Sequence, residues 1–324
     1  MKDYYKRSFA INSPIFVILL IGILVLGVML RLNIPRPDVL YSEHITTLSR
    51  FALTPKFITS ASFFFCWVEF ILSILTILTL YFLGQNMAGK VAGLCAAFTF
   101  AVYPYFIANL YTINIFVVFS FILYLLSMYI GVHTMNRFWN LFAGIFFMIS
   151  CIIEPGLIIL GILPYIYFLV KQRHVATLNS MLFFLIGIIL ILGVFGLLAL
   201  MGHNLSNFIP IGDTLFNFVD GIKKFIANPL TYITRSIWPY LKNNFAYPSV
   251  NGTYSYLHYF IIVLAILGVL YSFVDENVRI LSIILIFMLL QAFLMPFDYV
   301  IIFLMFILLA SFMVDKVIKD VLEL

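Results

Sequence analysis

Residues 14–32, PIFVILLIGILVLGVMLRL, contain no acidic residue and a single charged side chain, Arg31, at their far end. An α-helix rises about 1.5 Å per residue, so about 20 apolar residues cross a hydrocarbon core of roughly 30 Å. The stretch reads as a membrane-spanning helix, and the rest of the chain repeats it. Further apolar runs lie at about 61–84, 88–108, 112–132, 138–153, 156–170, 178–201, 257–273, 278–294 and 299–314, which makes ten crossings. Glu154-Pro155 interrupts residues 138–170, and two spans joined by a tight hairpin fit that length better than one broken helix. The expected fold class is all-α, a polytopic transmembrane helical bundle of about ten spans, with residues 1–324 forming a single integral membrane domain.

Composition points the same way. Of the 324 residues 64% are hydrophobic, 18% aromatic and only 10% charged, and the mean hydropathy is +1.14. A soluble globular domain carries charge on roughly a quarter of its residues, which excludes that class. The start, Met1 to Ser13, is basic, but the apolar run behind it lacks a small-residue cleavage site, so it is read as a retained first span. The net charge of +5 is divided among loops without a basic tail or stripe, and nucleic acid is not an expected partner. Cys66, Cys95 and Cys151 fall singly within spans and are read as small core residues.

Basic residues in short loops set the orientation. Lys2, Lys6, Arg7, Lys90, Arg137, Lys171, Arg173, Arg279, Lys316 and Lys319 all fall on one side, which is expected to be cytoplasmic together with both termini. The other basic residues sit at the end of the first span or in two outer loops, 33–60 and 202–256. Cations kept outside against the rule suit an anionic ligand such as a lipid phosphate, although solvated loop residues would look the same.

In loop 33–60 the run Pro35-Arg36-Pro37-Asp38-Val39-Leu40-Tyr41-Ser42-Glu43-His44 places two carboxylates close together in a chain with only 13 acidic residues. Tyr41, Ile45, Leu48 and Phe51 then recur with helical spacing, predicting an amphipathic surface helix that starts near Asp38. Asp38 could serve only as that helix's N-cap, or as a catalytic carboxylate with Glu43 beside it. In loop 202–256, Leu215, Val219, Ile222 and Ile226 form an apolar stripe beside Asp220, Lys223 and Lys224; Ile233, Ile237 and Leu241 do the same beside Arg235 and Lys242. Inside the second span Glu69 costs about 2.5–3.5 kcal/mol to insert unless it is paired, protonated or facing water, so it is expected to face the bundle interior. The five histidines show no metal-ligand spacing, and no metal site is indicated.

Several of these features, in order, resemble the membrane-embedded C-type glycosyltransferases, the superfamily of protein O-mannosyltransferases and aminoarabinose transferases. They are the outer Asp38 and Tyr41 after the first span, the stretch Gly89-Lys90-Val91-Ala92-Gly93-Leu94 opening the third span, and Phe100-Ala101-Val102-Tyr103-Pro104-Tyr105 closing it. The fourth-span start Asn109-Leu110-Tyr111-Thr112-Ile113-Asn114 is similar too, with Asn114 where many members carry Asp, and the second large outer loop follows the seventh span. The resemblance implies transfer of a sugar from a polyprenyl-phosphate donor to an acceptor glycan, lipid or protein at the outer membrane face, with inversion. It implies Asp38 as base, with Glu43 as alternative or partner, and Arg50, Lys223, Lys224 or Arg235 as phosphate contacts. Tyr41 and Glu69 are further substrate-contact candidates. The donor counts as substrate, no cofactor is assigned, and a divalent metal is left open. Two other readings stand beside it: a transporter or flippase for a lipid-linked or anionic substrate with Glu69 on its path, and a non-catalytic relative that keeps only the fold.

Overall fold

The computed structural model describes residues 14–37, 55–108, 110–111, 115–172, 175–200, 211–241, 256–294 and 299–322, and no strand occurs among them. Eleven longer helices carry the architecture: α1 (Pro14–Leu32), α2 (Ser62–Met87), α3 (Lys90–Val102), α4 (Ile115–Thr134), α5 (Arg137–Ile153), α6 (Leu163–Gln172), α7 (Val175–Leu200), α8 (Ile211–Ala227), α9 (Tyr256–Tyr271), α10 (Glu276–Leu294) and α11 (Tyr299–Leu322). The expected surface helix over 41–51 lies outside the described residues, as do Asp38, Tyr41, Glu43, Arg50, His44, Asn114 and Lys242.

By length and composition five helices can cross a bilayer: α1, α2, α4, α7 through Leu178–Leu198, and α11 through Val300–Val321. Five shorter apolar stretches, Lys90–Val102, Arg137–Ile153, Pro155–Lys171, Tyr256–Tyr271 and Val278–Leu294, coincide with the other apolar runs of the sequence. α4 and α11 are the most enclosed, and α1 and α7 turn most of their surface outward. Along α11 nearly every side chain from Ile301 to Leu309 is buried, which is the pattern of a helix surrounded by others. The packing order runs α7, α5, α4, α2, α3, α11, α9, with α1 laid across α2 and α3, and α10 against α11.

Small residues let the backbones touch where these helices cross. A Cβ on Gly84 of α2 would stand 2.8 Å from the Cα of Gly93 on α3, and one on Gly144 of α5 would stand 3.0 Å from the Cα of Gly187 on α7. Helices in lipid gain little from apolar burial alone, so close approach and van der Waals contact hold them together.

Proline explains where spans break. Tyr103 is extended (φ −67°, ψ 115°) because the ring of Pro104 disfavours helical backbone before it, so the third apolar run ends as α3 followed by the short turn Pro104–Ala108. Glu154 is likewise extended, and a 3₁₀ turn, Pro155–Ile159, leads to α6. The chain then runs back along α5: a Cβ on Gly161 would collide with the Phe147 ring, and the Tyr165 hydroxyl donates to Asn140 Oδ1 at 3.2 Å. This non-helical backbone is buried in protein, where side chains satisfy it. The Tyr124 hydroxyl donates to the Gly161 carbonyl at 2.9 Å, and Gln291 Nε2 donates to that of Gly156.

The bundle has two distinct ends. At one, the α2–α3 turn holds Gly89 at φ 137°, ψ 177°, a region open essentially to glycine. Lys319 of α11 donates to the Ala88 carbonyl there at 2.8 Å and pairs with the buried Asp315 at 2.6 Å. The opposite end gathers the C-termini of α1, α3, α5 and α10 with the N-termini of α2, α4, α9 and α11.

Candidate functional site

This second end begins with Arg31, whose side chain is fully buried at the end of α1. Its Nε donates to Ser73 Oγ at 2.6 Å, one terminal nitrogen to the carbonyls of Ala101 (3.1 Å) and Gly27 (3.3 Å), and the other to that of Phe100 (3.2 Å). The carbonyls of Phe100 and Ala101 belong to the last turn of α3, which has no helical donors left for them. One guanidinium therefore ties α1 to α2 and α3 and fixes the point where the chain leaves α1. In the sequence Arg31 is a basic residue at a span end, and its being the lone charge of an otherwise uncharged run was the available signal.

Beyond α1 the chain passes Pro35 and Pro37, each with its φ restricted, and between them Arg36 lays its guanidinium over the Trp67 ring at 3.8 Å from the centroid. Such a contact contributes about 0.5–2 kcal/mol, more as water is excluded. Arg36 also lies near the Tyr111 hydroxyl. Burial pushes the Tyr111 phenol up, and the neighbouring Arg36 opposes the shift. Tyr111, Leu110, Ile58, Phe65, Cys66 and Phe70 form a small apolar cluster under this contact, with Ile34 and Trp67 packed against it.

Glu69 lies on the following turn of α2 and is buried, at 1% exposure. Ser73, four residues on and so on the same face, is the residue bonded to Arg31. The charges of Glu69 and Arg36 both reach Tyr111. The structure thus places Glu69 in the interior, as its insertion cost requires, and on the side of α2 where Arg36 and Tyr111 meet.

The long segment between α7 and α9 meets the same end of the bundle at another place. In α8 the backbone at Gly221 presses against the Leu294 carbonyl, and the Tyr232 hydroxyl donates to Phe293 (2.9 Å) and Leu294 (3.3 Å), the unsatisfied carbonyls ending α10. The opposite face of α8 carries the exposed Phe216, Val219 and Ile226 with the exposed Lys223 among them. Lys224 pairs with Asp220 at 2.6 Å, a hydrogen bond that holds the lysine above its ordinary range. Arg235 is exposed within a π turn, Ile233–Ile237. Three of the four cations expected to contact phosphate, Lys223, Lys224 and Arg235, therefore share one docked segment, Glu69 occupies another, and Arg50 lies outside the described residues.

A third contact at this end joins the Tyr103 hydroxyl to His258 Nδ1, with both side chains buried and Phe303 packed 5.1 Å from the imidazole. It ties the end of α3 to the start of α9. Sequence spacing alone had set His258 aside, because its partners are aromatic and distant in the chain. Among the described residues no three His, Cys, Asp or Glu side chains come together as a metal site.

Residues 50–198, a little under half of the chain, match the model of the dolichyl-phosphate-mannose-protein mannosyltransferase family. The matched residues run from Arg50 to the end of α7 and include Glu69 and Tyr111; Asp38, Tyr41, Glu43, Lys223, Lys224 and Arg235 lie outside them. The match supports the C-type resemblance, and with it a membrane glycosyltransferase of that type. No curated protein matches the chain.

Proposed function

We infer that this protein transfers a sugar from a polyprenyl-phosphate donor to an acceptor hydroxyl at the outer membrane face, inverting the anomeric carbon. The observation that carries the reading is the family match across α2 to α7. Support comes also from the meeting of Arg36, Tyr111 and the buried Glu69 at the bundle end from which the Asp38 loop departs. The ten apolar stretches act as ten crossings, the termini are cytoplasmic, and this end faces outward. α8 rests at the lipid headgroups with Phe216, Val219 and Ile226 towards the acyl chains.

The chemistry is a single displacement. The acceptor oxygen attacks the anomeric carbon as the bond to the donor phosphate oxygen breaks, and that oxygen keeps the electron pair. Asp38, or Glu43 in its place or beside it, takes the acceptor proton, while cations from Arg50, Lys223, Lys224 and Arg235 offset the charge on the departing lipid phosphate. Tyr41 and Glu69 contact the bound sugar.

Transfer from a panel of radiolabelled polyprenyl-phosphate sugars by the purified protein in lipid tests this. Asp38→Asn should lower transfer by about 10²–10⁴-fold, the range a positioned base supplies. Full activity in a folded Asp38→Asn protein sinks the assignment of Asp38, and activity surviving Asp38→Asn and Glu43→Gln together sinks the mechanism.

A further inference from the structure

Among the described cations at this end of the bundle other than Arg31, which is bonded to Ser73 and three carbonyls, Arg36 differs in being held. Lys223 and Arg235 extend from exposed positions, and Lys224 is engaged with Asp220. Arg36 is half-buried, stacked at 3.8 Å on Trp67 and close to Tyr111, itself 4% exposed. The stacking uses the face of the guanidinium and leaves its edge, where the N–H donors lie, for a ligand. A fork of donors fixed in advance suits a phosphate group, because little side-chain freedom is lost when the ligand arrives.

The surroundings say which phosphate. Trp67 meets Phe63 edge to face at 6.3 Å, and Phe63, Phe64 and Phe57 are 69%, 62% and 53% exposed. On a membrane-spanning bundle that apolar surface belongs to lipid, so the guanidinium sits one ring away from the acyl region. A phosphate attached to a long apolar chain can reach Arg36 from the side, with its tail over Phe63 and Phe64. Arg36 also precedes Asp38 by only two residues in the chain.

We propose that Arg36 receives the phosphate of the lipid-linked sugar donor and that Trp67 and Tyr111 act as positioning residues for it. The proposal rests on the glycosyltransferase reading above and assigns its donor site. Arg36 then carries donor affinity, and the cations of the second outer loop act on the charge that grows as the phosphate departs.

Trp67 supplies the test, since the chain has only three tryptophans. In the full-length protein carrying Trp139→Phe and Trp238→Phe, held in phosphatidylcholine nanodiscs, geranylgeranyl phosphate should change Trp67 emission saturably. Geranylgeraniol and inorganic phosphate at the same concentration should not. Arg36→Gln should weaken binding at least tenfold, Arg36→Lys less, and Tyr111→Phe several-fold; in transfer assays each should raise the donor KM more than it lowers kcat. Unchanged binding in Arg36→Gln overturns the proposal, and so does an equal response to inorganic phosphate or to added phosphatidylglycerol. Arg36→Lys guards against misfolding, because a partial rescue by the second cation cannot come from an unfolded chain. If the wild type binds geranylgeranyl phosphate through Arg36 yet transfers sugar from no donor, the enzyme reading fails and the lipid-phosphate site stands. If Arg36→Gln transfers with an unchanged donor KM, the site fails and the enzyme stands.

Discussion

Arg31 stands in an apolar helix with neutral partners for its charge: a serine hydroxyl and three carbonyls. Hydrogen bonds to a charged donor contribute about 1.5–3 kcal/mol each, and acceptors deprived of one in the interior cost more to leave bare. Arg31→Gln should therefore destabilise the bundle by on the order of 3 kcal/mol, read as a lowered melting temperature in detergent, with Arg31→Lys intermediate. An unchanged melting temperature would mean that α1 is held by packing alone. Lys224 makes the contrasting case, since its pair with Asp220 lies in water. Because the lysine is held above its ordinary value, the pair is complete below that value and is lost only as pH rises through the folded one. Lys224→Met should leave the melting temperature and its dependence on neutral pH unaltered, so any change in sugar transfer by that variant reports contact with substrate and not loss of structure.

At the scale of elements, α8 is attached to the bundle by few groups: Gly221 against Leu294, and the Tyr232 hydroxyl on the carbonyls that end α10. Tyr232→Phe removes the donor and leaves those carbonyls to water or lipid headgroups, at a cost of about 1 kcal/mol. Amide hydrogen exchange over residues 211–227 should quicken while the melting temperature of the bundle stays where it was; equal protection in both proteins would show that the tyrosine does not hold the helix. The amphipathic period of this segment was plain in the sequence, and α8 spans the apolar stripe read there. Which way the helix faces was not plain, because a stripe of Val219 and Ile226 can meet either protein or lipid. The bundle contact fell to Gly221, a residue with no hydrophobic signature, because only the absence of a Cβ lets the two backbones meet.

For the molecule as a whole, the inferred orientation puts an even number of crossings between two cytoplasmic termini. Ser8→Cys should react with an impermeant maleimide only after the membrane is opened, whereas Asn251→Cys, in the second outer loop, should react in sealed cells. Labelling of both from one side would make the number of crossings between them even, and labelling of Ser8→Cys in sealed cells would turn the Arg36 end of the bundle inward. The broken span after Glu154 is where an error in that count would arise. Its return along α5 to the contact of Tyr165 with Asn140 supports two crossings in that stretch.

Hydrophobicity and spacing in the sequence were enough for the class of fold, the bounds of most apolar helices and the burial of Glu69. These follow from local physics, since a run of about 20 apolar residues has few choices beyond a helix in lipid. The C-type resemblance was legible as well, because the motifs at Gly89 and Tyr103-Pro104 are contiguous in the chain. What needed the tertiary structure were contacts whose partners are far apart in sequence: Arg31 with Ser73 and Ala101, Arg36 with Trp67 and Tyr111, Tyr103 with His258. A guanidinium or imidazole announces no partner by its spacing, and its role is set by which helix ends the packing brings beside it.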